Sequence, residues 1–502
     1  MTTNTASTNS TTSHTPTPEA YAGFDTMPLG GQWRAGSSGE IATDSDPYTG
    51  ETLTEIGMAT AADLDSAYRS AAAAQEEWCG AAPGERAAVL HRAATIMEQR
   101  REEILRWLTV EAGSTRTKAE WEFAITRADM LEAASFPNRI AGRILPASVA
   151  GKESRVYKRP VGVVGVISPW NFPLHLSNRS VAPALGCGNA VVLKPAGDTP
   201  VTGGLLLARI YQEAGLPPAA LSVVIGRGSE IGDPMVAHAT PRLVSFTGST
   251  AVGQGIAAKA GLKKLSLELG GNNPLLVLRD ADLIPAVDAA IFGSYLHQGQ
   301  ICLAINRIIV DAAIHDEFVD LFRSRTQRLV AGDPREQATQ LGPIINPSQL
   351  QSIQDTIAQA LSDGATLLEG GDPTGPTGRV LPAHVLTGGN HVATAAREVF
   401  GPVATIIPAA DDDAAVRIAN DTEYGLTSAV FSGDAERGVR VAHRLQAGST
   451  HVGDMTVNYE PNTAFGGEKA SGLGRFGGEW GIAEFTTDQW ISVQHSPRAW
   501  EF

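Results

Sequence analysis

The chain contains three cysteines, Cys79, Cys187 and Cys302, and the position of Cys302 is the one suited to chemistry. Cys302 follows a predicted helix that ends near Gly299, so its thiol is expected on a turn between a helix and a strand, where nucleophiles are often displayed. An unperturbed thiol is only about 3% ionised at neutral pH, so it needs a base or a local dipole to react. The alternative for a single cysteine is a small buried apolar side chain, which is the interpretation favoured for Cys79 and Cys187.

A carboxylate and an amide could complete such a site. Glu268 lies in SLELGGNNP at the end of an apolar run, and burial there would raise its pKa and make it a usable general base. Asn171 lies in SPWNFPLH, where neighbouring prolines stiffen the loop and its amide N–H could donate to an oxyanion. The residues by themselves leave two alternatives open, a structural carboxylate at Glu268 and an Asx turn at Asn171.

Two other segments could bind a nucleotide. In LVSFTGSTAVGQG a strand leads through Gly248 and Ser249 into a helix with Gly253 in its first turn, and the N–H groups of such a helix start favour phosphate. Lys194 follows another strand, at the sheet edge where open α/β sheets bind ligands, and its ammonium could hold ribose hydroxyls. The alternatives are a tight turn with a Ser or Thr N-cap and a solvated lysine.

The elements that must position these residues form a pattern typical of a doubly wound α/β domain. Short β-branched runs alternate with stretches of helical length from residue 161 onward. The predicted buried parallel strands are 161–167, 190–194, 221–225, 243–246 and 265–269, and the predicted crossover helices are 176–187, 200–214, 229–239 and 250–260.

Three further regions complete the predicted organisation. A helical pattern runs from 61 to about 132, with Pro83 near the start of its second helix. The segments 154–160 and 489–494 are short and alternating, so they could pair as a small sheet or across a subunit boundary. A second α/β series follows residue 274, with predicted strands at 275–278, 305–310 and 402–409 and predicted helices at about 282–297 and 313–330.

Composition excludes several classes of protein. The net charge of −15 would repel nucleic acids and anionic membrane surfaces. No apolar run approaches the roughly 18 residues of a membrane-spanning helix. The odd number of unpaired cysteines indicates neither a disulfide scaffold nor a cysteine zinc site, and it favours a cytoplasmic location. Residues 1–20, rich in Thr and Ser, are predicted to form a disordered tail.

From about residue 30 to the C-terminus the chain resembles the NAD(P)-dependent aldehyde dehydrogenase superfamily. The motifs that carry the resemblance are SPWNFP, LKPA, FTGSTAVG, LELGGNNP, GQICLAINR, EVFGPV and AFGGEKASGLGR. The stretches PLHLSNRSVAPALGCGNAVVLKPAGDTPVTGG and HQGQICLAINRIIV look most like the benzaldehyde and vanillin dehydrogenase branch.

The resemblance implies an α/β fold with a doubly wound Rossmann-type cofactor domain, an α/β catalytic domain and a small β element for oligomerisation. The cofactor domain would comprise residues 21–145 and 161–270, and the catalytic domain residues 271–480. The segments 146–160 and 481–502 would build a homodimer or homotetramer. No metal is implied.

The resemblance also assigns roles. Cys302 would attack the aldehyde to form a thiohemiacetal, its oxyanion held by the Asn171 amide and the Cys302 backbone N–H, and Glu268 would activate water to hydrolyse the resulting thioester. The implied NAD or NADP contacts are Lys194 and Glu398 at the riboses, Gly248, Ser249 and Gly253 near the pyrophosphate, and Trp170 and Phe400 as walls.

One position bears on the choice of cofactor. Relatives that prefer NAD often carry Glu three residues after the lysine, where it repels a 2′-phosphate, but this chain has Gly197 there. Both NAD and NADP are therefore expected to serve.

The implied substrate pocket is apolar and aromatic, which suits a planar ring. A ring hydroxyl could bind Asn178 or Tyr459. The expected substrate is therefore an aryl aldehyde. The predicted lining residues are Phe172, Leu176, Ile301, Leu303, Tyr459 and Phe465.

Four alternative functions remain open from the sequence. Two are close in mechanism: a semialdehyde dehydrogenase, and a CoA-acylating enzyme in which a thiol takes the acyl group instead of water. A cysteine esterase would use the same thiol without a cofactor, although Lys194 and Glu398 argue against it. A catalytically silent binding protein would tolerate loss of Cys302 or Glu268, and both are present.

Overall fold

The computed structural model describes residues 18–500, so residues 1–17 of the predicted tail lie outside the described part. The helices are α1 Ala61–Gly80, α2 Pro83–Gln99, α3 Arg101–Ala112, α4 Arg116–Arg139, α5 Pro173–Gly186, α6 Leu206–Glu213, α7 Asp233–Ala237, α8 Thr250–Lys259, α9 Leu283–Tyr295, α10 His315–Thr326, α11 Pro347–Ser362, α12 Ala393–Ala396, α13 Asp412–Asn420, α14 Ala435–Ala442 and α15 Gly478–Glu484.

The strands outnumber those predicted from the apolar runs. They are β1 Met27–Leu29, β2 Gln32–Arg34, β3 Ile41–Ser45, β4 Thr52–Gly57, β5 Arg143–Leu145, β6 Lys152–Pro160, β7 Val163–Ile167, β8 Ala190–Lys194, β9 Leu221–Val223, β10 Leu243–Thr247, β11 Lys264–Glu268, β12 Asn273–Val277, β13 Ile305–Asp311, β14 Thr366–Glu369, β15 His384–Thr387, β16 Val403–Ala409, β17 Tyr424–Gly425, β18 Thr427–Phe431, β19 Ser449–Val452, β20 Glu468–Lys469, β21 Gly472–Leu473 and β22 Thr486–Gln494.

The first sheet has the strand order β21-β11-β10-β7-β8-β9 and is parallel except for β21. Its five parallel strands are those predicted from the β-branched runs, so the prediction of a doubly wound sheet is confirmed. The chain order reverses between β7 and β10, which makes the carboxyl ends of these two strands a switch point where α/β proteins bind ligands. The edge strand β21 comes from residues 472–473, within the segment predicted as the catalytic domain.

The second sheet has the order β14-β15-β16-β13-β12-β18-β19, and β14 is its antiparallel edge. The strands predicted after residue 274 are β12, β13 and β16. They are neighbours in this sheet, because β13 pairs with β12 on one side and with β16 on the other. Every residue of β13 is buried, including the polar residues Asn306, Arg307 and Asp311.

The predicted small sheet also exists within one chain. Strand β22 pairs antiparallel with β6 over the full length of both, from Thr486 opposite Pro160 to Gln494 opposite Lys152. Strand β5 adds a third member on the other side of β6. Most of β22 is exposed, so this sheet has an uncovered face.

One helix end agrees with the expectations and another differs from them. The second helix begins with Pro83 at its first position, as predicted, because a missing N–H costs nothing there. The helix expected over 282–297 stops at Tyr295, because His297 and Gln298 take left-handed φ angles of 51° and 56°. That turn redirects the chain immediately before Cys302.

Candidate active site

A cavity of about 270 Å³ lies at the switch point of the first sheet. It brings together segments that are far apart in the chain, following β7, β10 and β11 and preceding β13. The lining residues are Pro169, Trp170, Asn171, Leu176, Thr247, Gly248, Ser249, Leu269, Gly270, Cys302, Gln349, Ser352, Glu398, Val399 and Phe400.

The turn that carries Cys302 is fastened to the start of β12 in the second sheet. The side-chain amide of Asn273 donates to the backbone carbonyls of Cys302, at 2.7 Å, and Ala304, at 2.9 Å. A Cβ added at Gly271 would lie 2.3 Å from the Cys302 carbonyl oxygen, so only glycine permits this approach. The nucleophile is therefore held by backbone contacts, and its side chain is left to face the cavity.

The Cys302 thiol is protonated at rest. The pKa of the thiol is raised to about 12, chiefly because desolvation disfavours the thiolate, although the side chain is only partly buried. The nearby carboxyls of Glu268 and Glu398 also raise this pKa, and Arg179 lowers it. His297, the histidine nearest in sequence, is buried, and its pKa lies well below the ordinary value because its charged form is desolvated. The base for Cys302 must therefore be a carboxylate.

Glu268 has the properties of such a base. It ends β11 with 1% of its surface exposed, and within residues 18–500 neither carboxylate oxygen has a hydrogen-bond partner. Burial raises the pKa of Glu268 to about 7, against the opposing effect of Arg179 and Arg475. A base with this pKa exchanges protons readily near neutral pH.

Asn171 is held in place but keeps a free donor. Its side-chain amide donates to the carbonyl of Gln300 at 2.9 Å, and the residue is buried. An amide has two N–H donors, so one remains for a ligand in the cavity that Asn171 shares with Cys302.

Steric contacts explain why Gly248 and Gly253, near the predicted phosphate site, are glycines, and these contacts differ between the two positions. Gly248 lies at the cavity wall, where a Cβ would come within 2.5 Å of the Phe246 ring. Gly253 is buried, and a Cβ there would come within 2.3 Å of Leu269, so it is needed to pack α8 against the sheet. Ser249 is the N-cap of α8 and makes no side-chain cap, which leaves N–H groups at that helix start available.

Lys194 and Gly197 lie after β8, as expected. The Lys194 ammonium is buried, and its one hydrogen bond within the described residues is a long one of 3.4 Å to the Pro195 carbonyl. Burial lowers the pKa of Lys194. A Cβ at Gly197 would meet nothing within 4 Å, so this position opens onto free space.

Glu398 and the aromatic rings of Trp170 and Phe400 form another part of the cavity wall. The Gly271 N–H donates to Glu398 at 2.9 Å, and burial raises the pKa of Glu398 to about 7. The rings of Trp170 and Phe400 meet edge to face at 5.4 Å. Phe400 has a left-handed φ of 53° and is held by Gln349, whose amide donates to its carbonyl at 3.0 Å.

All six predicted substrate residues belong to one apolar cluster next to Cys302, namely Phe172, Leu176, Ile301, Leu303, Tyr459 and Phe465. Sequence reasoning missed Trp121 and Ile125, which pack against this cluster from α4. Their spacing of four residues, on one face of a helix, was the available signal.

The polar groups near this cluster are already engaged. Asn178 accepts from the Tyr211 hydroxyl at 2.7 Å and donates to the Thr126 carbonyl at 3.3 Å. Its contact with a ring hydroxyl stays a prediction. The Tyr459 hydroxyl donates to Asp129 at 2.8 Å. Tyr459 therefore offers a ligand its ring and, as an acceptor, its oxygen.

A larger cavity, about 360 Å³, lies between α9 and α10, and it contains no nucleophile. Among residues 18–500, no helix has the length and apolarity to cross a bilayer. Over the same residues, no cluster of three or more His, Cys, Asp or Glu side chains is placed to hold a metal ion.

Comparison with known proteins agrees with this geometry. Residues 33–491 match the model of the aldehyde dehydrogenase family. The chain is 49% identical to a vanillin dehydrogenase of Corynebacterium glutamicum, over 95% of this chain and 99% of that protein. It is 46% identical to a benzaldehyde dehydrogenase of Bacillus subtilis, over 94% and 98%.

A solved structure shares the fold. The crystal structure of an NAD-dependent benzaldehyde dehydrogenase from Corynebacterium glutamicum superposes with a TM-score of 0.88 at 45% identity, covering 95% of this chain and 98% of that one. The protein therefore belongs to the aldehyde dehydrogenase family.

Proposed function

We propose that the protein oxidises aromatic aldehydes to carboxylic acids with NAD or NADP. The observation that carries the proposal is one cavity lined by Cys302 and Asn171, which meets an apolar, aromatic cluster at Cys302 and Leu176. The buried carboxyl of Glu268 lies close enough to the thiol to raise its pKa. The vanillin and benzaldehyde dehydrogenases among its relatives support this substrate class.

The residues present fit a nicotinamide dinucleotide. Lys194 is a buried ammonium with donors to spare, and α8 presents N–H groups that no side chain caps. We assign the riboses to Lys194 and Glu398, and the pyrophosphate to the start of α8 at Gly248 and Ser249. When bound, the nicotinamide supplies the hydride acceptor of the oxidation. The open space at Gly197 leaves room for either cofactor.

In the first half of the reaction Cys302 attacks the aldehyde carbon. Because the pKa of its thiol lies far above that of Glu268, proton transfer to Glu268 must accompany formation of the carbon–sulfur bond. The free N–H of Asn171 and the backbone N–H of Cys302 would donate to the oxyanion, each contributing about 3 kcal/mol to the transition state.

Before the second half Glu268 releases to solvent the proton that it took from Cys302. It then takes a proton from water as the water oxygen attacks the thioester carbon. The carbon–sulfur bond breaks, the carboxylic acid leaves, and the Cys302 sulfur keeps the electron pair and takes the proton back from Glu268, which restores the thiol. Both half-reactions need Glu268 ionised, so activity should fall as pH drops below about 7.

The test is a panel of aldehydes assayed with both cofactors. Benzaldehyde and vanillin should give reduced nicotinamide with a higher kcat/KM than succinic semialdehyde. The two cations that contact the apolar cluster, Lys118 and Arg179, already face the carboxylates of Glu122 and Glu268. The product should be the free acid even when CoA is present. A preference for succinic semialdehyde, or a CoA thioester as product, would contradict the proposal.

We further propose that the protein forms a homodimer or homotetramer through the exposed sheet of β5, β6 and β22. Strand β22 and its neighbours expose Trp490, Ile491, Ile144, Leu145 and Tyr157. Exposed apolar side chains on a sheet are a common basis of subunit contacts. The cytoplasmic location stays a prediction from the unpaired cysteines.

A further inference from the structure

A second buried charge lies beside the general base. Arg179 on α5 is 4% exposed, and its Nη1 lies 3.9 Å from the nearer carboxylate oxygen of Glu268. Within the described residues Glu268 is the carboxylate that Arg179 pairs with. The distance is too long for a hydrogen bond but short enough for a strong charge interaction in a dry site.

The guanidinium of Arg179 is held in place by three neighbours. Its Nη2 donates to the Thr247 hydroxyl at 3.1 Å, and Thr247 is the register partner of Glu268 on the adjacent strand. Its central carbon lies 5.0 Å from the centre of the Phe465 ring and 4.4 Å from that of Phe476. Two aromatic faces stabilise a buried cation that has few other partners.

The second cation near Glu268 is already compensated. Arg475 forms an ion pair with Glu468 and donates to the carbonyls of Gly467 and Gly474. Its charge is therefore shared, whereas the charge of Arg179 is directed to Glu268. The other titratable groups that face Glu268 are the Cys302 thiol and the Tyr459 hydroxyl.

We propose that Arg179 is a positioning residue for thioester hydrolysis, whose charge keeps the Glu268 carboxylate ionised and oriented toward Cys302. Without this charge, a carboxylate in so dry a site would take up a proton and could no longer accept one from water. Because Phe465 also lines the substrate cluster, Arg179 links the pocket wall to the base.

This inference rests on the proposed aldehyde oxidation, and its test is the pH dependence of hydrolysis in Arg179→Gln and Arg179→Met. An opposite charge this close lowers a carboxyl pKa by about 1 to 3 units, so its loss should move the acid limb of hydrolysis upward by about that amount. Near pH 7 the variants should release the first equivalent of reduced nicotinamide more slowly and should also hydrolyse the thioester more slowly, because both half-reactions need Glu268 ionised. At high pH the rate should recover.

A measurement without cofactor follows the same step. Acyl-enzyme formed on Cys302 from 4-nitrophenyl benzoate should be hydrolysed with the same upward shift of its pH limb. Arg179→Lys, which keeps a charge, should restore most of the wild-type profile. Arg475→Gln serves as the matched control and should shift the limb less, because Glu468 already balances Arg475.

Several outcomes would overturn the inference. One is a neutral variant that thermal unfolding shows to be folded and whose hydrolysis rate falls by the same factor at every pH. Others are a lysine variant that behaves like the glutamine variant, or an Arg475→Gln shift as large as that of Arg179→Gln. If both neutral variants fail to fold, Arg179→Lys alone carries the test. A lysine variant whose hydrolysis rate falls below that of the wild type by the same factor at every pH, with its acid limb unmoved, would also overturn the inference. If the wild-type enzyme oxidises no aldehyde, the proposed function fails instead.

Discussion

At the scale of single residues, the site separates the groups that hold the nucleophile from the groups that activate it. The Asn273 side-chain amide and the close approach of Gly271 hold the Cys302 carbonyl, while the thiol lines the cavity. The buried Glu268 carboxyl has few polar partners. Dry surroundings raise the pKa of both, so the thiol is stable at rest and the carboxyl is poised near neutral pH.

Cys302→Ala should abolish aldehyde oxidation and leave dinucleotide binding intact. The thiol is the only group in the cavity assigned to bond with substrate, whereas Lys194, Glu398 and the start of α8 are untouched by the change. Quenching of tryptophan fluorescence by the dinucleotide, with Trp170 at the cavity wall, measures binding. Residual turnover that forms the acid would contradict the role of Cys302.

Gly197→Glu should lower kcat/KM with NADP by about tenfold or more and leave NAD nearly unaffected. The backbone at Gly197 is not left-handed and a Cβ meets open space, so a carboxylate can be accommodated where it would repel a 2′-phosphate. Gly197→Ala is the matched control and should leave the ratio of the two cofactors unchanged.

The same assay tests the wild-type enzyme, which should use both cofactors with comparable efficiency. A wild-type preference for NAD above about a thousandfold, equivalent to about 4 kcal/mol, would refute that expectation.

At the scale of elements, the contact between α4 and α5 positions the oxyanion loop. Glu122 on α4 accepts from the backbone N–H groups of Leu174, at 2.9 Å, and His175, at 3.2 Å, and so caps the start of α5. Lys118 forms a fully buried ion pair with Glu122 and lies 4.3 Å from the centre of the Phe172 ring. One buried pair therefore supports both Asn171 and the substrate pocket.

Lys118→Met should destabilise the protein by about 3–5 kcal/mol, because it leaves the Glu122 carboxylate buried without its cation. The control is Glu120→Ala, which removes an exposed ion pair with Arg116 and should cost less than about 1 kcal/mol. Denaturant unfolding measures both, and equal losses would show that the buried pair contributes no more than the exposed one.

At the scale of the whole molecule, the uncovered face of the three-stranded sheet is the proposed subunit contact. Trp490 is 65% exposed on β22 and should be buried by a second subunit. Trp490→Asp should therefore shift the mass measured by light scattering toward smaller species. Leu262→Asp, at an exposed residue away from the sheet, is the control and should leave the mass unchanged. A monomeric wild-type protein would contradict the proposal.

Local pattern was sufficient for much of this architecture. The β-branched runs predicted every parallel strand of the first sheet, and alternation predicted the segments that form β6 and β22. These signals are local, because a buried strand and a half-exposed strand each leave a mark in consecutive residues. The residue types at Cys302, Glu268 and Asn171, together with the motif order, were enough to name the family and the chemistry.

What the sequence could not decide were contacts made across long separations. Gln349 supports Phe400, Arg179 faces Glu268, and the Tyr459 hydroxyl is bound by Asp129 from another element. No local pattern marks these pairs, because each depends on how helices and loops pack in three dimensions. Sequence alone therefore determined the fold class and the family, whereas the tertiary structure decided which charges meet and how dry their surroundings are.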